Sequence, residues 1–250
     1  MHPKALLDAC TELTRLLLRF DHPADSVVSK YFRDQRKQMA LGPRERGVLA
    51  ETGYNVLRQK LRFEHLAKSG SGVRERRLAI LGFAGPRDFV KSALNDTEKK
   101  WLDMCDSIQP SDLMSQHIHN LPDWLARPLK EQLGDEFGAL AESLQQSGSL
   151  DLRVNDLNEK RAEVQKELTA AGIVCEPTPY SPWGLRLQGK PSLAKVKAFE
   201  RGAVEVQDEG SQLLALLLDA HRGEMVVDFC AGAGGKTLAI GAAMRNTGRL

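Results

Sequence analysis

Through its first 148 residues the chain spaces its apolar side chains three and four apart and never in sustained alternation, which confines that stretch to helices packed on helices. Leu6, Leu7, Leu13, Leu16, Leu17 and Phe20 mark a first helix that must stop at the turn signal Asp21-His22-Pro23. A second follows Pro23 with Val27, Val28, Tyr31 and Phe32 on one side. Pro43, a favourable first-turn residue, opens a third that carries Val48, Leu49, Tyr54, Val56, Leu57 and Leu61 and continues to Phe63 and Leu66. Shorter helices are predicted over 75–82, 86–94, 98–106 and 121–133, the last stopped by Gly134, with one more running to Gln146. Trp124, in this region, is expected to be a buried aromatic, and His117 and His119 to lie in a solvated loop.

The pattern changes at Ser147-Gly148-Ser149. Leu150 to Val154 alternates as a strand, residues 158–171 read as a helix, and Gly172 precedes a short strand at Ile173-Val174-Cys175, giving β-α-β order. A proline-rich turn, Glu176-Pro177-Thr178-Pro179, leads to another strand at 185–187, and Trp183 on that turn is a candidate for base stacking. Ala203 to Val206 is a strand, Ser211 to Ala220 an apolar helix, Met225 to Phe229 a buried strand, Thr237 to Met244 a helix, and Gly248-Arg249-Leu250 the start of a further strand. The fold class is therefore multidomain: an all-α bundle over 1–148, a small α+β domain over 149–204, and over 205–250 the opening of a doubly wound α/β sheet with unsatisfied edges.

Composition excludes more than it selects. With 42% hydrophobic and 27% charged residues the chain can bury a core, and a balance of 35 Lys and Arg against 33 Asp and Glu gives a net charge of only +2. The basic residues cluster at Arg33, Arg36, Lys37, Arg44 and Arg46, and again at Arg58, Lys60, Arg62, Lys68, Arg74, Arg76 and Arg77, a pattern equally suited to RNA contact and to a solvated helical face. Cys10, Cys105, Cys175 and Cys230 lie far apart, which argues against a disulfide framework or a structural metal. No apolar run is long enough for a bilayer, and a cytoplasmic location is expected.

The chemistry is concentrated in residues 226–237, Val-Val-Asp-Phe-Cys-Ala-Gly-Ala-Gly-Gly-Lys-Thr, a glycine-rich turn between an apolar strand and a helix. Such a turn lets backbone amides approach a ligand where a helix N-terminus supplies partial positive charge. A phosphate-binding Walker loop needs glycine five residues before Gly235, where Cys230 stands, and a dinucleotide fingerprint begun at Gly232 needs glycine at Thr237. An acidic strand end, Asp228, followed by small residues at Cys230, Gly232 and Gly234, suits S-adenosylmethionine better. Asp208 and Ser211 are read as the cap of the preceding helix.

The loop from Asp228 to Thr237 resembles the cofactor motif of the Nop2/Sun family of RNA cytosine-5 methyltransferases, whose members usually have proline where this chain has Ala233. Val206-Gln207-Asp208-Glu209-Gly210-Ser211-Gln212 is similar to the helix start that precedes it in that family, Leu152-Arg153-Val154-Asn155 resembles the strand opening the small RNA-binding subdomain, and the region around 34–66 looks like the antiterminator-type helical domain of the bacterial ribosomal RNA members. The resemblance implies S-adenosylmethionine-dependent methylation of cytosine C5 in RNA, with ribosomal RNA as partner and rRNA processing as context. It implies that Cys230, Ala231, Gly232, Ala233, Gly234, Gly235 and Lys236 hold the cofactor. Both reacting cysteines of the family lie downstream of this loop, so the chain is expected to continue past Leu250 in nature and to be inactive by itself. Cys230 is not expected to be the nucleophile, nor are Cys10, Cys105 or Cys175. Two alternatives remain open: a non-catalytic RNA-binding module, and a P-loop ATPase.

Overall fold

The computed structural model describes residues 1–36, 41–193 and 196–250, and Lys37 of the basic cluster lies outside them. The chain forms two compact units, Met1–Ser147 and Gly148–Leu250.

The first unit is helical: α1 (Pro3–Leu17), α2 (Ala24–Gln35), α3 (Pro43–Arg58), α4 (Lys60–Ala67), α5 (Arg74–Leu81), α6 (Arg87–Lys91), α7 (Asp96–Ser107), α8 (Ser115–Ile118), α9 (Asp123–Leu133) and α10 (Phe137–Leu144). α1 packs against α3 and α5, and Leu7, Leu13, Leu49, Leu78, Ile80 and Leu102 are fully buried there. Proline at the first turn starts α1 and α3, as their sequences predict. α7 is started by a capping box in which the Glu98 amide donates to Asn95 Oδ1 at 2.9 Å and the Asn95 amide to Glu98 Oε2 at 3.1 Å.

Three expectations about this unit are corrected. The helix opened by Pro43 breaks at Gln59, whose φ of −110° and ψ of 29° leave the helical basin. The break is held by Asn120, whose Oδ1 accepts from the amides of Leu61 and Arg62 at 2.9 and 3.2 Å and so satisfies the free donors at the start of α4. His117 is buried, not solvated, because its ring stacks on His65 with centroids 4.1 Å apart. Trp124 is 76% exposed, since it occupies the first turn of α9, a helix with no buried side chain.

The second unit contains β1 (Leu150–Val154), α11 (Arg161–Ala170), β2 (Cys175–Pro177), β3 (Gly184–Leu187), α12 (Lys197–Glu200), β4 (Val204–Val206), α13 (Glu209–Leu217) and α14 (Gly235–Ala243). The sheet runs β2-β3-β1-β4 with every neighbouring pair antiparallel. β1 and β2 are consequently parallel with β3 inserted between them, so the β-α-β order read from the sequence is a split unit. Leu152 sits opposite Leu185 on one side and Val206 on the other. Leu152 and Val154 join Val164, Leu168, Leu185 and Leu187 in the core, while the alternate residues Asp151 and Arg153 are also buried, each in an ion pair.

The stretch Met225–Phe229 is not the buried strand the sequence predicts. One parallel bridge joins Met225 to Arg249, and Val226 packs with Ala215, Ala239, Ile240 and Met244, but Met225, Val227 and Phe229 are exposed, Phe229 to 94%. A parallel strand is buried only when it has neighbours on both edges and helices on both faces. Among the described residues this stretch has a single bridged residue and one covered side.

Candidate cofactor site

The glycine turn is built by local conformation. Gly232 and Gly234 have φ of 56° and 85°, left-handed values at which a side chain would be strained. The Gly234 amide donates to the Ala231 carbonyl at 2.9 Å, and Gly234 then caps the start of α14. Thr237 Oγ1 donates to Asp228 Oδ2 at 2.7 Å, tying the helix back to the residue that precedes the turn. Between this turn and the 206–211 segment lies a cavity of about 410 Å³ lined by Ser149, Asp151, Gln207, Asp208, Asp228 and Lys236, among others.

The opposite wall is fixed by a buried hydrogen-bond network. Gln212, fully buried, accepts from Ser181 Oγ at 2.6 Å and donates through Nε2 to the carbonyls of Gln207 and Leu152 at 2.8 and 3.3 Å. Glu209 Oε1 accepts from the amides of Tyr180 and Ser181 at 2.7 and 2.8 Å. Burial is the largest single influence and would raise that carboxyl, but those two amides together with Thr178 and Arg186 hold it below its usual value. Arg186 grips Asp151 through two bonds of 2.9 Å, and this pairing, against the opposing effect of burial, holds the Asp151 carboxyl low. Asp208 caps α13 by accepting from the Ser211 amide at 3.0 Å, as read from the sequence, and its carboxyl is lowered first by bonding to the Ser211 side chain. Gln207 is buried with its Oε1 unpartnered, and its Nε2 lies 3.6 Å from the place a side chain on Gly235 would start.

Comparison with known proteins finds relatives for part of the chain. Residues 121–194 match the family described as Methyltr_RsmF/B-like, ferredoxin-like domain. The chain is 34% identical over 134 residues to a probable ribosomal RNA small subunit methyltransferase B of Synechocystis, covering 53% of this chain and 30% of that one. It is 30% identical over 151 residues to the ribosomal RNA small subunit methyltransferase B of Yersinia pestis, covering 60% of this chain and 34% of that one. Over these stretches the chain is similar to ribosomal RNA small subunit methyltransferases B, and residues 121–194 form an RsmF/B-like methyltransferase ferredoxin-like domain. Its matched part spans about a third of the length of these curated relatives. Among solved structures, that of PH0851 superposes with a TM-score of 0.72 at 23% identity, over 99% of this chain and 62% of the other. A methyltransferase homolog from Pyrococcus horikoshii gives 0.50 at 27% identity, over 56% and 47%.

Of the seven residues singled out in the sequence, Cys230, Ala231, Gly235 and Lys236 line the cavity, whereas Gly232, Ala233 and Gly234 shape the turn without lining it. Sequence reasoning missed Asp151 and Gln207 as cavity residues. The signal for Asp151 was present in Leu-Asp-Leu-Arg-Val: polar residues on the second face of a strand are buried only if they are partnered. Cys10, Cys105 and Cys175 are buried, and burial pushes all three thiols up, that of Cys10 to about 12. Cys230 is exposed. Trp183 is only half-buried, and its amide donates to Ser181 Oγ at 3.2 Å. Four residues of the basic stretch are committed internally: Arg58 pairs with Glu51, Lys60 and Arg74 with Glu64, and Arg76 with Glu98 and Asp8. Among the described residues no cluster could hold a metal, and no helix is long and apolar enough to cross a membrane.

Proposed function

We propose that this chain carries the cofactor cavity of an S-adenosylmethionine-dependent methyltransferase that modifies cytosine C5 in ribosomal RNA. The observation that carries the reading is the cavity's charge set: with Asp151 paired to Arg186, two carboxylates, Asp208 and Asp228, stand against one ammonium, Lys236, beside a glycine turn that exposes backbone amides. A polyphosphate would meet net repulsion there, which sets the P-loop reading aside, whereas a zwitterionic ligand with additional positive charge finds partners of both signs. The volume, about 410 Å³, falls within the usual range for small-ligand sites, and the buried, unpartnered Gln207 Oε1 is an acceptor awaiting a donor. The residues therefore fit the group.

Cys230 to Lys236, with Gln207, Asp208 and Asp228, would hold S-adenosylmethionine, which when bound supplies an electrophilic methyl group. Substitution at C5 of a pyrimidine also calls for a thiolate at C6. None of this chain's four cysteines suits that role: three are buried with raised thiols, and Cys230 belongs to the turn that holds the cofactor. The chain's share of the reaction is thus to bind the methyl donor and the RNA.

Equilibrium dialysis with labelled S-adenosylmethionine tests this. Retention that is displaced by S-adenosylhomocysteine and not by ATP is the expected outcome. Retention displaced by ATP would replace the methyltransferase reading with a nucleotide-binding one, and no retention would leave an RNA-binding module.

A further inference from the structure

We propose that Tyr180 is a stacking platform for an unpaired base of the RNA substrate, an inference that rests on the methyltransferase reading above. The residue is 75% exposed, yet the turn that carries it is held by hydrogen bonds from both sides. Glu209 Oε1 accepts from the Tyr180 and Ser181 amides at 2.7 and 2.8 Å, Ser181 Oγ donates to Gln212 Oε1 at 2.6 Å, and the Thr178 amide donates to the Gly184 carbonyl at 3.1 Å. Arg161 Nη1 closes the other side by donating to the Ser181 carbonyl at 2.9 Å. Pro177, Pro179 and Pro182 lock φ along the same stretch. At Gly184 a side chain would collide with Thr178, so the two arms of the turn are in direct contact.

An exposed aromatic on a floppy loop would lose conformational freedom whenever it bound anything. Here the backbone beneath the ring is already ordered, so stacking costs little beyond fixing one side chain. The Arg161 guanidinium is bound to the carbonyl of Ser181, the residue after Tyr180, so the same turn carries a cation as well as an exposed ring, the two kinds of group with which proteins take phosphate and base of single-stranded nucleic acid. The carboxylates beneath the turn do not oppose this. Asp151 is paired bidentately with Arg186, and Glu209, 3.7 Å from the same guanidinium, is occupied by two backbone amides.

The placement has a consequence for the reaction. Glu209 and Gln212, which hold the turn, belong to the same short segment as Gln207 and Asp208, which line the cofactor cavity. A base stacked on Tyr180 would be held at a fixed offset from the bound methyl donor, so Tyr180 is a positioning residue for the substrate strand.

The test is binding of a fluorescent short oligouridylate at low salt, measured by anisotropy for the unaltered chain, Tyr180→Ala and Tyr180→Trp. Base–aromatic stacking is worth about 1–3 kcal/mol, so Tyr180→Ala should weaken binding about 5- to 150-fold while Tyr180→Trp stays within about 2-fold. An abasic strand of the same length should bind the unaltered chain and Tyr180→Ala alike. Equal affinity of Tyr180→Ala and the unaltered chain for oligouridylate would overturn the stacking role while leaving the methyltransferase reading intact. Absence of any oligouridylate binding overturns both this role and RNA binding by the chain. S-adenosylmethionine retention by Tyr180→Ala should be unchanged, and its loss would show that the variant disturbs the cavity and would overturn the assignment to stacking.

Discussion

Gln212 is the side chain on which the cavity wall and the Tyr180 turn both depend, and replacing it with leucine tests that directly. The substitution conserves volume and removes an amide that is fully buried and makes three hydrogen bonds. Two of those bonds, to Ser181 Oγ at 2.6 Å and to the Gln207 carbonyl at 2.8 Å, are short enough that their loss strands a buried donor and a buried acceptor. The third, at 3.3 Å to the Leu152 carbonyl, is weaker. Each stranded group costs about 1–2 kcal/mol, and the added apolar burial of leucine returns about 1 kcal/mol, leaving a net loss of about 1–3 kcal/mol. The opening equilibrium of β1 and the 178–184 turn should therefore rise about 5- to 150-fold. Hydrogen–deuterium exchange with peptide resolution reads this, with peptides from α1 as internal reference. A rise below about 3-fold in both segments would mean that the amide's bonds do not hold the wall, and the argument from burial would fail.

Gly234→Val places a β-branched residue at φ 85°, a strain of at least about 1–2 kcal/mol, and S-adenosylmethionine affinity should fall at least about 10-fold by calorimetry. The Asp151 carboxyl is held below its ordinary value of 3.8, so its contribution to stability is complete above that pH and is lost as pH falls through the depressed value. Arg186→Gln removes the cause and should shift the acid unfolding of the second unit, followed by circular dichroism, to higher pH. In the native chain one thiol, Cys230, should react rapidly with an aromatic disulfide reagent, whereas Cys10, Cys105 and Cys175, buried and with raised pKa, should react only on unfolding; mass-mapped labelling distinguishes them. Asn120→Ala removes the acceptor that starts α4 and forces alanine to a φ of 54°, so the first unit should lose about 1–3 kcal/mol in urea unfolding.

Local signals carried a large part of this fold. Helices begin where proline or capping residues stand in the sequence, at Pro3, Pro43 and Asn95, and the positive-φ glycines of the turn fall where the motif requires them. What was not legible depended on partners distant in sequence. The break at Gln59 is enforced by Asn120, some sixty positions away, and the burial of His117 by His65. The exposure of Met225, Val227 and Phe229 follows from what does not cover them, which an apolar run cannot reveal. At the site, the turn residues were readable because their chemistry is contiguous, whereas Asp151 reaches the cavity through sheet pairing and Gln207 through burial against Gly235. What the basic stretch does was not settled by its sequence, because pairing depends on the fold: Arg58, Arg74 and Arg76 each meet a carboxylate on their own or another helix.

The most direct test of the central claim is a titration of the isotopically labelled chain with S-adenosylmethionine, followed by amide chemical shifts. The account predicts saturable shifts concentrated at Cys230 to Lys236 and at Gln207 and Asp208, with none produced by ATP. Shifts absent from these residues at saturating ligand, or reproduced by ATP, would contradict it.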